Sequence, residues 1–217
     1  MNRIKSILFF INKEDKVVDV GCDSAKLGIL LAKRGQKSIA SDISVNVIER
    51  TKEEIKKLKL DDFIDVRLSN GLETITEEET DTLVLSGLGT YTIINVLEDT
   101  KIKFKKIITI SNNNHDMLRE KMNKLGYVID KEQIIRERNK YYNLILFIPG
   151  KTNYNEKELL LGKNHIDNFL YEQYLSYLLN KYQKIKIKSK NNNLKINKYI
   201  KYINEELSYI KNWVLSI

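Results

Sequence analysis

The chain is poor in the residues that staple or punctuate a fold. It has one cysteine, Cys22, among 217 residues, which excludes a disulfide framework and a cysteine-rich zinc site. Its two histidines, His115 and His165, show no ligand spacing, so no metal is expected. Proline occurs once, at Pro149 directly before Gly150, and marks a single strong break. No apolar run approaches the ~18 residues of a membrane-spanning helix. Residues 1–10 set basic side chains beside a short apolar stretch, without a long apolar segment or a small-residue cleavage site, so they do not read as a signal peptide. The expectation is a cytoplasmic protein with no membrane partner. Glycine fingerprints are missing too. Only Gly21 and Gly28 stand near the first strand, not the G-x-G-x-x-G of dinucleotide sites, and no Walker sequence occurs. NAD, FAD and nucleoside triphosphatase chemistry are thereby disfavoured.

What is present is a core and an uneven charge. Hydrophobic residues make up 42%, which excludes global disorder. The net charge is +8, and thirty of the 37 basic residues are lysine. Residues 151–217 hold 12 lysines and 6 acids, a net +6, whereas residues 1–150 hold 25 basic and 23 acidic residues, a net +2. A nearly balanced front therefore precedes a basic tail suited to a polyanion.

The front alternates between two periods. Short β-branched runs at 16–20, 37–42, 63–68, 82–86 and 106–111 read as buried strands, with helical patterns at 27–34, 46–58, 90–97 and 116–125 between them. Such alternation predicts a parallel sheet with helices on both faces. Two further runs, 127–135 and 141–148, have no helix between them and predict a hairpin that closes the sheet with one antiparallel strand. After Pro149 the period changes. Tyr171, Leu175, Leu178, Tyr182 and Ile185 are spaced 4-3-4-3, and Ile196, Ile200, Ile203, Leu207, Ile210 and Val214 continue 4-3-4-3-4. These heptad seams, separated by a polar turn at 188–193, predict a coiled-coil-like antiparallel hairpin that pairs within one chain, hence a monomer. The fold class is α/β, with domains at 1–150 and 151–217.

Chemistry gathers at the predicted strand ends. The first strand finishes Asp19-Val20-Gly21-Cys22-Asp23, a tight turn beside a carboxylate, although a purely structural turn is also open. The second ends at Asp42, followed by Ile43. An acid there can accept hydrogen bonds from ribose hydroxyls. The third ends at Ser69-Asn70-Gly71, where Asn70 suits an adenine edge, and the fourth at Ser86-Gly87-Leu88-Gly89, which lets a ligand approach the backbone. Four such ends in succession fit a nucleoside cofactor without a pyrophosphate, for which S-adenosylmethionine is the natural candidate.

These residues resemble the bacterial tRNA (adenine-22-N1)-methyltransferases, from about Arg3 through Pro149 and more weakly into the tail. The family's D-I-G-S-D-H-A-Y-L-P is similar to the stretch from Asp19 to Gly28. Its D-G-L-E corresponds to Asn70-Gly71-Leu72-Glu73, its A-G-M-G-G to Ser86-Gly87-Leu88-Gly89-Thr90, and its Q-P-N to Ile110-Ser111-Asn112. Later counterparts are Leu118-Arg119-Glu120, Gly126-Tyr127 and Asn139-Lys140-Tyr141-Tyr142-Asn143. The departures are Ser24 for His, Lys26 for Tyr, Gly28 for Pro, Asn46-Val47-Ile48 for G-P-F, and Ser111 for Pro, which make this a divergent member and bear on contacts to the target base. The resemblance implies a Rossmann-like class I methyltransferase sheet with a helical tail, and methyl transfer from S-adenosylmethionine, leaving S-adenosylhomocysteine, to N1 of an adenine in the tRNA D arm.

On that reading Asp23 is the expected catalytic carboxylate, stabilising the cationic product ring, with capping of the following helix as its other open role. Asp42 and Ile43, with Gly21, Cys22, Asn70, Gly71, Ser86, Gly87 and Gly89, are expected against the cofactor. Asp19 either organises the loop or meets the methionine ammonium. Lys26, Asn112 and Tyr142 are candidates for the target base, with helix capping open to Asn112 and sheet packing to Tyr142. Lys184, Lys186, Lys188 and Lys190 lie in a stretch without acids from Gln173 to Asn204 and are expected on tRNA phosphates, although such a run also suits a solvated face. The absence of N-P-P-[YF] after the fourth strand disfavours exocyclic-amine DNA methylation. A methyltransferase of another RNA, and a non-catalytic RNA-binding protein retaining the fold, remain as alternatives.

Overall fold

The computed structural model describes residues 3–188 and 193–214, except for the side chains at 168, 213 and 214. Five neighbouring parallel strands make up most of one sheet: β1 (Val17–Val20), β2 (Ser38–Asp42), β3 (Ile64–Leu68), β4 (Thr82–Ser86) and β5 (Lys106–Ile110). A long hairpin, β6 (Tyr127–Glu137) and β7 (Lys140–Pro149), completes it in the order β3-β2-β1-β4-β5-β7-β6. Strand β7 runs antiparallel to both neighbours and is the one reversed strand. Arg138 and Asn139 make its two-residue turn, both with positive φ, the geometry that matches the twist of paired strands.

Alternation along each buried strand feeds two cores. Val18, Leu83, Leu85 and Ile107 face one side, where Ile93 and Leu97 of α4 (Thr90–Glu98) and Leu118 and Met122 of α5 (His115–Lys124) pack. Val17, Val84 and Ile108 face the other, under α1 (Arg3–Phe9) and α2 (Lys26–Ala32). Helix α3 (Val45–Leu58) packs beside them through Ile48 and Ile55. Its N-cap Ser44 accepts from the Val47 amide at 3.4 Å, and it ends at Lys59 in the left-handed region, a normal stop. The result is the expected doubly covered, Rossmann-like sheet.

Beyond Pro149 the chain forms α6 (Glu156–Leu161), α7 (Asn168–Lys188) and α8 (Leu194–Val214). The last two pair as a hairpin. Of the heptad positions, Tyr171, Leu175, Ile203 and Ile210 are buried together with Leu161 of α6 and Ile134 of β6. Burial fades toward the tip, where Ile185 is exposed. The seam is thus driven by docking of its base onto β6 as much as by helix-to-helix packing. Among the described residues no helix is long and apolar enough to cross a membrane.

Candidate active site at the carboxyl edge of the sheet

Strand order reverses between β1 and β4, and the crevice beyond such a switch point is where open α/β sheets bind ligands. At that place lies a cavity of about 390 Å³, within the usual range for small-molecule sites. Strand β1 supplies Asp19, after which the chain turns at Gly21 with φ +76°. The amides of Gly21 and Cys22 both donate to the Ser41 carbonyl, at 2.8 and 3.0 Å, and so fasten the corner to β2. Leu88 lies 3.1 Å from the place a Gly21 Cβ would take, so the turn needs glycine for conformation and for space.

The corner then presents Cys22, Asp23 and Lys26 to the cavity, opposite Ser86 and Gly87 of the β4 end and Asn112 of the β5 end. Asp19 is 8% exposed, and its carboxylate meets no hydrogen-bond donor among the described residues. Burial, then the nearby Asp42 carboxylate, push its pKa up to about 7. This unpartnered acid suits direct contact with a cationic ligand group better than a loop-organising role. Burial, with Asp19 and Asp42, pushes the Cys22 thiol up to about 12, so it is a small protonated wall and no nucleophile.

Asp23 has φ +49°. Its carbonyl accepts from Thr51 Oγ1 at 2.7 Å and its carboxylate from Arg50 Nη2 at 2.9 Å, so two consecutive residues of α3 hold it at the cavity mouth. It does not cap α2: the N-cap position is Ala25, with no side-chain cap bond. At the end of β2, Asp42 Oδ1 accepts from the Ser44 amide at 3.0 Å, and Ile43 is exposed. Asn112 Nδ2 donates to the Gly87 carbonyl at 2.6 Å, and its amide donates to the Leu88 carbonyl. These bonds knit the β4 and β5 loops together.

Several expected residues, Asp42 and Ile43 among them, do not line this cavity. Asn70 donates to Glu73 at 2.8 Å and lines, with Gly71, a separate groove beside α4. Gly89 is the N-cap of α4. Tyr142 is not on the cavity. The Arg3 guanidinium covers its ring at 4.4 Å while pairing with Glu137 at 2.8 Å, and the ring packs against the apolar cluster under α1. Lys184, Lys186 and Lys188 are exposed on α7. Lys184 and Lys188 meet no acidic partner among the described residues, and Lys190 lies outside them. Arg3, Ile4 and Ile7 of α1 also wall the cavity, and the sequence expectations did not include them. The 3-1-3 spacing of Ile4, Ile7, Leu8 and Ile11 is the signal that marks them.

Residues 1–145 match the family described as Methyltransferase domain. The chain belongs to that methyltransferase family. A curated Bacillus subtilis protein, the tRNA (adenine(22)-N(1))-methyltransferase, is 28% identical over 153 residues, 68% of this chain and 64% of its own. The Ribosomal protein L11 methyltransferase of Thermotoga neapolitana is 31% identical over 138 residues. The chain thus spans 64% and 51% of the lengths of these curated relatives. Among solved structures, M. capricolum TrmK in complex with S-adenosyl-homocysteine is 29% identical with a TM-score of 0.82, covering 97% of each chain. A Streptococcus pneumoniae protein in complex with S-adenosyl-L-methionine has a TM-score of 0.85 over 94% of this chain and 98% of its own. At 23% identity that likeness speaks for the fold.

Proposed function

We propose that this methyltransferase transfers the methyl group of S-adenosylmethionine to N1 of an adenine in the D arm of tRNA, position 22, in the cytoplasm. One observation carries the substrate class. The likeness to M. capricolum TrmK, which shares its name with the B. subtilis M1A22 tRNA methyltransferase TrmK, runs over 97% of the chain, helical hairpin included, whereas that to a ribosomal protein L11 methylase structure covers 62%. The cavity and the strand end beside it support the cofactor: a buried carboxylate without a donor and a glycine turn line the cavity, a second acid, Asp42, stands at the end of the neighbouring strand β2, and together they suit an ammonium, a close backbone approach and a ribose diol.

When bound, the cofactor supplies an electrophilic methyl group on a sulfonium. The chain's own residues then hold and align. Asp19 would hold the ammonium, and Asp42, with one oxygen free of its Ser44 bond, would hold ribose hydroxyls. The N1 lone pair is already nucleophilic, so what remains is alignment and exposure of the Watson–Crick edge. Methyl transfer to N1 would leave the adenine ring cationic. Asp23 at the mouth offsets that charge and can accept the N6 proton. Lys26 stands on the same rim, and Lys184, Lys186, Lys188 and Lys190 of the tail take phosphates.

The test is transfer of labelled methyl groups to unmodified tRNA, with 1-methyladenosine after nuclease digestion. No incorporation into any tRNA with an adenine at that position overturns the reading. Asp23→Asn should lower kcat by about 10²–10³-fold and leave cofactor Kd within about threefold. Equal losses in both would make Asp23 structural. Replacing Lys184 and Lys188 by Ala should flatten the dependence of log K for tRNA on log salt by roughly 0.7–0.9 for each phosphate that is no longer neutralised. An unchanged slope in filter-binding titrations would remove the tail from the docking surface.

A further inference from the structure

Asn112 walls the cavity at the β5 end. The same residue lines a second cleft, of about 510 Å³, which runs from the loop after β5 to the α7–α8 hairpin. One wall is three consecutive asparagines, Asn112, Asn113 and Asn114. The other carries Lys181 and Tyr182 of α7 with Lys195 and Tyr199 of α8. The Tyr182 and Tyr199 rings meet edge-on at 4.9 Å, and Lys195 Nζ stands 5.5 Å from the Tyr199 ring centre.

The side chains of this cleft are unequally committed. Asn112 is spent on the Gly87 carbonyl, and Asn113 Oδ1 accepts from the Thr90 amide at 3.3 Å. Asn114 is exposed and its side-chain amide bonds nothing among the described residues. The Asp116 carboxylate is met by Tyr199 Oη at 3.2 Å and by Lys195 at 3.7 Å. Lys181 meets no acid among the described residues. A free amide, aromatic rings and an uncommitted ammonium around one cleft are what an unpaired nucleotide needs: edge hydrogen bonding, a stacking partner and a phosphate contact. Duplex phosphates alone would need only the cations.

We propose that this cleft receives the unpaired nucleotide next to the methylated base while that base occupies the cofactor cavity. The proposal rests on the tRNA-methylating reading. It adds that Asn114 and Lys181 grip a flanking nucleotide, and that Asn112 is the wall shared by the two sites. A strand opened at the target must continue past Asn112, and the cleft gives it a lined path toward the basic hairpin.

The test pairs protein variants with altered RNA. Asn114 has φ +48° and is the N-cap of α5 without a side-chain cap bond, so Asn114→Gly removes the amide and keeps a backbone glycine adopts freely. Lys181→Gln removes the charge and keeps most of the stem. Each is assayed on unmodified tRNA and on the same tRNA made abasic at either nucleotide flanking the target. For the unaltered protein, one abasic flank should lower kcat/KM about tenfold. Each variant should fall about tenfold on intact tRNA and keep its cofactor Kd. Asn114→Gly, which loses a contact to the base, should lose less than the unaltered protein when that base is removed, whereas Lys181→Gln, which loses a contact to a phosphate that the abasic RNA keeps, should show the full abasic effect. An undiminished abasic effect in Asn114→Gly, or variants that act normally on intact tRNA, overturn the cleft assignment and leave the methylation reading standing. An unaltered protein that methylates no intact tRNA overturns the reading beneath it as well.

Discussion

Replacing Asp19 with Asn should raise the melting temperature of the cofactor-free protein at pH 8 and sharply weaken its affinity for S-adenosylmethionine. Burial and Asp42 lift the folded-state pKa of Asp19 from 3.8 to about 7. Between pH ~4 and ~7 the folded chain therefore keeps a proton that the unfolded chain has released, and stability falls as pH rises through that window. Above pH 7 the whole cost is present. The shift corresponds to an amount on the order of 2–4 kcal/mol. Asn has nearly the same shape without the charge, so the gain should be full at pH 8 and vanish near pH 4. A bound ammonium reverses the sign, since it gives the carboxylate the partner that the folded chain withholds. Affinity for the cofactor should thus climb about tenfold per pH unit below pH 7 and level off above it. The Asn variant should be flat with pH and at least ~100-fold weaker. Thermal melts at pH 4 and pH 8, with calorimetric titration of cofactor between pH 5.5 and 8, read both halves. A lower melting temperature for the variant at pH 8 would mean that Asp19 holds the loop through a structural bond.

The same corner shows what a sequence carries and where it stops. The buried strands are β-branched runs and the helices bury residues three and four apart, so alternation of the two periods places β1 to β5 and the helices between them within a residue or two. The Asp-x-Gly corner is legible because it is contiguous. The hold on Asp23 is not: its partners, Arg50 and Thr51, come from α3, 27 and 28 residues away. Asn70 looks equivalent to the other strand-end residues, yet it bonds locally to Glu73 and lines the groove beside α4. Tyr142 differs from its neighbours only by the parity of the pleat, which depends on pairing of β7 with β5 and β6. Helix α6 carries a local signal that the heptad pattern overshadows. Asn155 and Glu158 form a reciprocal capping box, with bonds of 2.9 and 3.0 Å, and that spacing is a helix-start signature. The charge excess of the tail, by contrast, says nothing of its pairing. Lys198 is held by Glu156 at 2.9 Å and Lys157 by Glu206 at 2.6 Å, so part of the excess fastens helices to one another.

Removing the Arg119 side chain should cost about 3–5 kcal/mol of stability and loosen the helical segment from the sheet. Arg119 and Glu132 are each 1% exposed and form a two-pronged pair, with Nε to Oε1 at 2.9 Å and Nη2 to Oε2 at 2.7 Å. The guanidinium also donates from Nη1 to the Leu159 carbonyl at 2.8 Å, in the last turn of α6. Glu132 accepts in addition from the Lys163 amide at 3.2 Å. The pair therefore clamps α5 and β6 to the end of α6. Gly162 shows how tight the clamp is: it has φ +91°, and a Cβ there would stand 2.5 Å from Glu132 Oε2. Arg119→Met leaves a buried carboxylate without its cation, and the carbonyls of α6 without their donor, which is why one deletion costs more than the pair contributes. The double variant Arg119→Met with Glu132→Leu should recover part of the stability, since no unpaired charge remains. Urea unfolding of the two single variants and the double variant measures the coupling, and proteolysis reports whether cleavage moves to residues 150–165. If the single and double variants were equally destabilised, the α6 carbonyl contacts would be the true anchor. The clamp would then act through hydrogen bonding of the helix end, with the ion pair serving only to hold the guanidinium in place.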